Sequence, residues 1–153
     1  MAIMVVPADI ESRVGAVIGS PFLAKGDAPT GWDCRGHVRW CLAQCGVAVP
    51  DYQDLYSASV VNQLSGRRER ARLIAEGLAQ SWRLIAPQAG AVAWLEWMGG
   101  AGHVGFMLSA DRLSHADMRQ GTVLLDLKDP AAGYRLRGAF TPSFISEIKQ
   151  EVR

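Results

Sequence analysis

This 153-residue chain is short of several features that would narrow its function quickly. No apolar run reaches the roughly 18–20 residues a helix needs to cross a bilayer, so insertion into a membrane by a helix is not expected. Charge of one sign is not in excess: sixteen Lys and Arg against fifteen Asp and Glu leave a formal net charge of +1. Without a cationic surplus there is no general electrostatic affinity for nucleic acid. Cysteine is scarce, and its count of three is odd, which argues against a closed disulfide framework. No internal repeat and no low-complexity stretch is found. The opening "MAIMVVPADIES" is apolar but short, with no Lys or Arg ahead of it and no small-residue cleavage site. It does not read as an export signal, and synthesis and folding in the cytoplasm are expected.

What remains is the balance of a globular protein, with 49% apolar and 20% charged residues. The length fits one domain spanning residues 1–153. Asp9 precedes "IESRVGAVIG" as an N-cap, and Ile10, Val14, Val17 and Ile18 form the helix's apolar stripe. A Gly- and Pro-bearing loop follows, over residues 19–33. A second helix is expected from Cys34, capped by Asp33, and ending at Gly46. Residues 51–64 are ambiguous, whereas residues 65–82 read as an amphipathic helix with Leu73, Ile74, Leu78 and Trp82 inward. The character then changes. "GAVAWLEW", "HVGFML", "RLSHAD" and "TVLLDL" are short β-type segments separated by Gly, Ser and Asp. "YRLRGAF" adds a possible strand and "SFISEIKQEVR" a possible terminal helix. Helices first and an antiparallel meander afterwards point to the α+β class.

All three cysteines lie in "GWDCRGHVRWCLAQCG", at positions 34, 41 and 45. Steps of seven and four put them on one helix face together with Val38. Three thiols spread over about 15 Å of one helix cannot converge on a tetrahedral metal ion, so no metal is expected. Residues four apart in a regular helix rarely meet disulfide geometry. Cys41 and Cys45 therefore read as core residues. Cys34 differs because it falls in the first turn. There the unpaired N–H groups and the positive end of the helix stabilise a thiolate and can hold an oxyanion. A lone cysteine at a helix start is not a specific signal.

A thiol nucleophile needs a base, and the base needs an orienting partner. His37, on the cysteine helix, reads as a surface or packing residue. His103 opens "HVGFML", and His115 lies twelve residues later in the next strand. If Ser109, Ala110 and Asp111 form a hairpin loop, Leu108 faces Arg112, Gly105 faces His115, and His103 faces Asp117. Both histidines then share one side of the sheet as diagonal neighbours roughly 7–8 Å apart at the backbone. Gly105 offers no side chain to separate them. The same pattern also accommodates two unrelated, half-exposed histidines.

Taken together, "GSPFLAKGDAPTGWDCRGHVRW", "GAVAWLEW…HVGFML" and "RLSHAD" resemble the NlpC-type cysteine peptidases, a papain-like family of cell-wall hydrolases. The resemblance covers about residues 15–127, and the twelve-residue spacing of the histidines is the usual one. "CGVAVPDY" (45–52) is similar to the branch of the family found in phage tails and related particles. The resemblance implies a fold with helices packed on a central antiparallel sheet and the catalytic cysteine at a helix N-terminus. It implies Cys34 as nucleophile, His103 as general base and acid, and His115 as the orienting residue. Asp33, Arg35, Phe22 and Gly102 fall along the implied substrate-binding side. The implied reaction is hydrolysis of an amide in the peptidoglycan stem peptide, between D-γ-glutamyl and a diamino acid. No cofactor is implied. Action at the cell wall within a virion or phage-like particle, with tail proteins as partners, is expected.

The chain departs from the family pattern at four places. Arg35 stands where many members carry a Ser that helps hold the amino end of the stem peptide, and Arg35 would repel an ammonium group. Phe22 stands where many have a Tyr whose hydroxyl assists the oxyanion. His37 replaces a Leu, and Ala91 replaces an Asp. Two alternatives follow: a tail assembly protein with weak or lost hydrolysis, and an amidase or acyltransferase using the same triad on another substrate.

Overall fold

The computed structural model describes residues 2–49, 81–97 and 100–152. The ambiguous segment 51–64 and nearly all of the helix expected over 65–82 lie outside the described residues. Trp82 is described, and it corrects the expected boundary: it opens strand β4 (Trp82–Ile85) and packs on the core from there. The elements before it are β1 (Ala2–Val6), α1 (Ile10–Gly15), β2 (Asp27–Ala28), β3 (Gly31–Trp32) and α2 (Cys34–Gln44). After β4 come β5 (Val92–Trp97), β6 (Gly100–Met107), β7 (Arg112–Asp117) and β8 (Gly121–Asp126). A short 3-10 turn over Pro130–Ala132 leads to β9 (Tyr134–Pro142) and β10 (Ile145–Gln150).

Among the described residues, six strands form the main sheet in the order β4-β9-β5-β6-β7-β8, and every pairing in it is antiparallel. The expected meander is its β5-to-β8 part, and "YRLRGAF" is indeed a strand. It returns along β5 rather than extending the far edge, since β8 follows β7 there. Alternation along the strands separates two apolar faces. Val92, Val104, Phe106 and Leu108 meet Val38, Cys41 and Leu42 of α2 and Cys45 just after it. Ala91, Ala93, Leu95, Met107, Leu113 and Leu125 pack together in a second cluster. Cys41 and Cys45 are thus core residues, as their helical spacing implied.

The expected terminal helix is a strand. β10 pairs in parallel with β1, and the register steps from Ala2↔Ile145 to Ile3↔Glu147, so Ser146 is left without a partner position. Ile145 and Ile148 are three residues apart, a helical spacing. The bulge at Ser146 absorbs one residue and returns both isoleucines to the core side. The first helix is shorter than its pattern: it ends at Gly15, Val17 remains buried, and Ile18 is exposed.

Candidate active site

α2 starts where the sequence placed its start, because Asp33 is a true N-cap. Its backbone is extended, and one carboxylate oxygen accepts from the Gly36 N–H at 2.8 Å. The other oxygen accepts from the Lys25 N–H at 3.0 Å, which ties the preceding loop to the helix. Arg35 lies 3.5 Å from the same carboxylate. The loop folds over the first turn so closely that a side chain on Gly36 would strike the Gly26 carbonyl. Cys34 stands at the helix start but is buried, with 8% of its surface exposed. Phe22 bridges to Trp32 and packs with Val17, Trp32 and Ala116. Gly102 is buried in β6, one residue before His103.

The hairpin register is the one read from the sequence. Leu108 N–H donates to the Arg112 carbonyl at 2.8 Å, and Phe106 pairs with Ser114. His103 and His115 are brought together: His103 Nε2 lies 2.8 Å from His115 Nδ1, with the rings nearly perpendicular at 86°. Gly105 makes this possible. A Cβ there would lie 2.7 Å from Leu113 Cδ1 and 3.3 Å from His115 Cβ.

Burial sets the electrostatics. Desolvation pulls the His115 pKa down to about 4, against an opposing pull from the nearby Asp117. His115 is therefore neutral near pH 7, and its bond to His103 uses Nδ1 as acceptor or donor according to tautomer. His37 is the packing residue expected, not a surface one. It is fully buried, 2.8 Å from Ser114 Oγ by its Nε2, and set edge-on to Trp32 at 4.8 Å. Desolvation, with a smaller contribution from His115, lowers its pKa to about 3. Burial raises Cys45 to about 11 and Cys41 well above the usual thiol value.

Two further residues belong to this site. The Tyr134 ring lies 4.9 Å from the His115 ring and 5.5 Å from that of His103, and its hydroxyl donates to Asp117 Oδ2 at 3.0 Å. Burial, then the Asp117 charge and that bond, push the Tyr134 pKa up, and Cys34 adds a weaker push of the same sign. Cys34 is thus within electrostatic range of the tyrosine that touches both histidines. Asp117 was legible in the sequence, two residues after His115 and on the same strand face. Tyr134 carried no local signal, because only the return of β9 along β5 brings it here.

No family model matches the chain, and no curated protein matches it. Solved structures do. The NlpC/p60 domain of the peptidoglycan hydrolase SagA aligns with a TM-score of 0.55 at 19% identity, over 88% of this chain and 97% of that one. A Staphylococcus aureus protein described as similar to lipoprotein, of the NLP/P60 family, aligns with a TM-score of 0.52 at 22% identity over 86% of this chain. An NlpC/P60 family protein from Bacillus cereus aligns with a TM-score of 0.52 at 17% identity, also over 86%. The chain spans 39% and 38% of the length of these last two. The fold is α+β and NlpC/P60-like: a six-stranded antiparallel sheet with α2 packed on it.

Proposed function

We propose that the chain is a cysteine hydrolase that cleaves an amide bond in peptidoglycan stem peptides. The observation that carries this reading is the 2.8 Å contact between His103 Nε2 and His115 Nδ1, on a sheet packed against the helix that Cys34 begins. Neutral His115 accepts, at Nδ1, a hydrogen bond from the Nε2–H of His103, which leaves Nδ1 of His103 as the nitrogen that exchanges a proton with the thiol. The Cys34 thiolate attacks the amide carbon, and the oxyanion is held by the Cys34 backbone N–H at the helix start. His103 protonates the departing amine as the C–N bond breaks and a thioester forms. His103 then takes a proton from water, the resulting hydroxide attacks the thioester, and the thiol is released.

The bond we favour is that between D-γ-glutamyl and a diamino acid, by the resemblance of the cysteine and histidine segments. Arg35 beside Asp33 disfavours a free ammonium group at this point of the site. We place the site of action at the cell wall, within a phage-like particle, on the resemblance of residues 45–52. Digestion of purified sacculi with wild type and Cys34→Ala, with mass analysis of the released fragments, tests the reading. New amine termini with wild type alone are expected and identify the bond. Intact sacculi with both proteins would overturn it.

A further inference from the structure

We propose that Asp117 and Tyr134 are positioning residues of the histidine pair, a carboxylate–phenol brace that holds both rings and sets the charge they can carry. This rests on the reading of Cys34, His103 and His115 as one reactive centre.

The brace is built from two strands that the sequence leaves far apart. Alternation along β7 puts Asp117 on the face of His115, and the hairpin register turns His103 toward the same face. The buried carboxylate is held on all sides. Oδ1 accepts from the N–H groups of Arg119 at 2.7 Å and Gln120 at 3.0 Å, and Oδ2 accepts from the Tyr134 hydroxyl. Burial works to raise the Asp117 pKa but is outweighed by these three bonds and by His115, so the group stays ionised. Tyr134 enters from β9, where it pairs with Trp97 of β5 and stacks on it at 6.3 Å. Arg119 covers the same Trp97 ring at 4.7 Å. The phenol ring is thus wedged between Trp97 and the two imidazoles.

This arrangement assigns the tyrosine a definite task. Its hydroxyl donates its hydrogen bond to Asp117, so Tyr134 does not replace the oxyanion-assisting hydroxyl that Phe22 lacks. Its ring instead fixes the imidazole planes. The fixed negative charge favours the state in which the pair carries a proton, the state needed when His103 has taken one from Cys34. The groups that face Asp117 or the pair are His115 and Arg119 around β7, His103 on β6, Tyr134 on β9 and His37 on α2, while Cys34 acts on Tyr134.

The test uses the full chain with Asp117→Asn and Tyr134→Phe, the second losing a single hydroxyl. Two readouts need no peptidoglycan: NMR titration of the imidazole Hε1 signals, and the pH profile of iodoacetamide alkylation at Cys34. Asp117→Asn is expected to move the histidine titration down and the Cys34 alkylation midpoint up by about half to one pH unit, slowing alkylation at pH 6 by about three- to tenfold. Tyr134→Phe keeps the ring and leaves the carboxylate one donor fewer, so it is expected to shift both by less and in the opposite direction, and Asp117→Glu restores most of the Asp117→Asn loss. Profiles of Asp117→Asn and Tyr134→Phe that superimpose on wild type would overturn the brace. Intact sacculi with displaced histidine titrations would overturn the hydrolase reading and leave the brace standing.

Discussion

His37 and His115 sit with their rings buried and neutral, and that has a cost in acid. An unfolded chain takes a proton on each near pH 6.5, whereas the folded chain holds His37 unprotonated to about pH 3 and His115 to about pH 4. Between those limits the unfolded state binds more protons, so stability falls as pH drops below about 6.5. For His37 alone the loss by pH 5 is about 2 kcal/mol. Urea unfolding at pH 7 and pH 5 measures the combined loss, and His37→Gln is expected to remove about half of it, leaving the part due to His115. Equal stability of the wild type at both values would show that both His37 and His115 are protonated inside the fold. The thiols divide on the same principle. Alkylation below pH 8 followed by peptide mapping is expected to label Cys34 and spare Cys41 and Cys45, whose raised pKa values and burial keep them as thiols. Labelling of Cys45 at the rate of Cys34 would contradict this.

Two elements deliver the site, α2 and the β6–β7 hairpin, and both were legible because their signals are local. Asp33 three residues before Gly36, and Gly46 with its positive φ of 76°, bracket the helix as capping chemistry requires. Asp33→Ala removes acceptors for both Gly36 and Lys25 and is expected to cost about 1–2 kcal/mol in chemical denaturation. Asp33→Asn keeps an acceptor and is expected to cost less. The hairpin was legible because a three-residue loop fixes the register, and the register fixes the face of every residue on both strands. Its sensitive point is Gly105. A methyl group there would press on the Ser114 carbonyl at 2.9 Å, which cannot rotate away as the Leu113 side chain can. Gly105→Ala is expected to cost about 1–3 kcal/mol and to part the two imidazoles, seen as a lower melting temperature together with a changed His103 NMR titration. A melting temperature equal to that of the wild type would mean that the strands separate without cost.

At the scale of the whole molecule the sequence misled wherever distant segments meet. β1 is a continuous apolar run, so no alternation shows in it, although Met4 and Val6 are buried while Ile3 and Val5 are exposed. β10 carries its two isoleucines at a helical spacing that only the Ser146 bulge reconciles with a strand. Tyr134 joins the histidines because β9 inserts between β4 and β5, a route that no local pattern encodes. The β1–β10 pairing is thus set by contacts between the two ends of the chain, with Met4 and Val6 of β1 and Ile145 of β10 in the main core. Ile145 is buried in the main core, and Arg83 of β4 donates to its carbonyl at 2.8 Å. Ile145→Ala is expected to cost about 2–4 kcal/mol, whereas Phe144→Ala, at a half-exposed neighbour, is expected to change stability by under about 0.5 kcal/mol. Deletion of Ser146 separates the two explanations of the bulge. Without it Ile145 and Ile148 stand two apart, the spacing that an unbulged strand needs to keep both on the core side. If the bulge serves only to absorb the extra residue, the deletion variant unfolds within about 1 kcal/mol of wild type. A loss as large as that of Ile145→Ala would instead make the contacts of Ser146, its hydroxyl on the Ala2 carbonyl and its own carbonyl on Arg83, the reason the bulge is there.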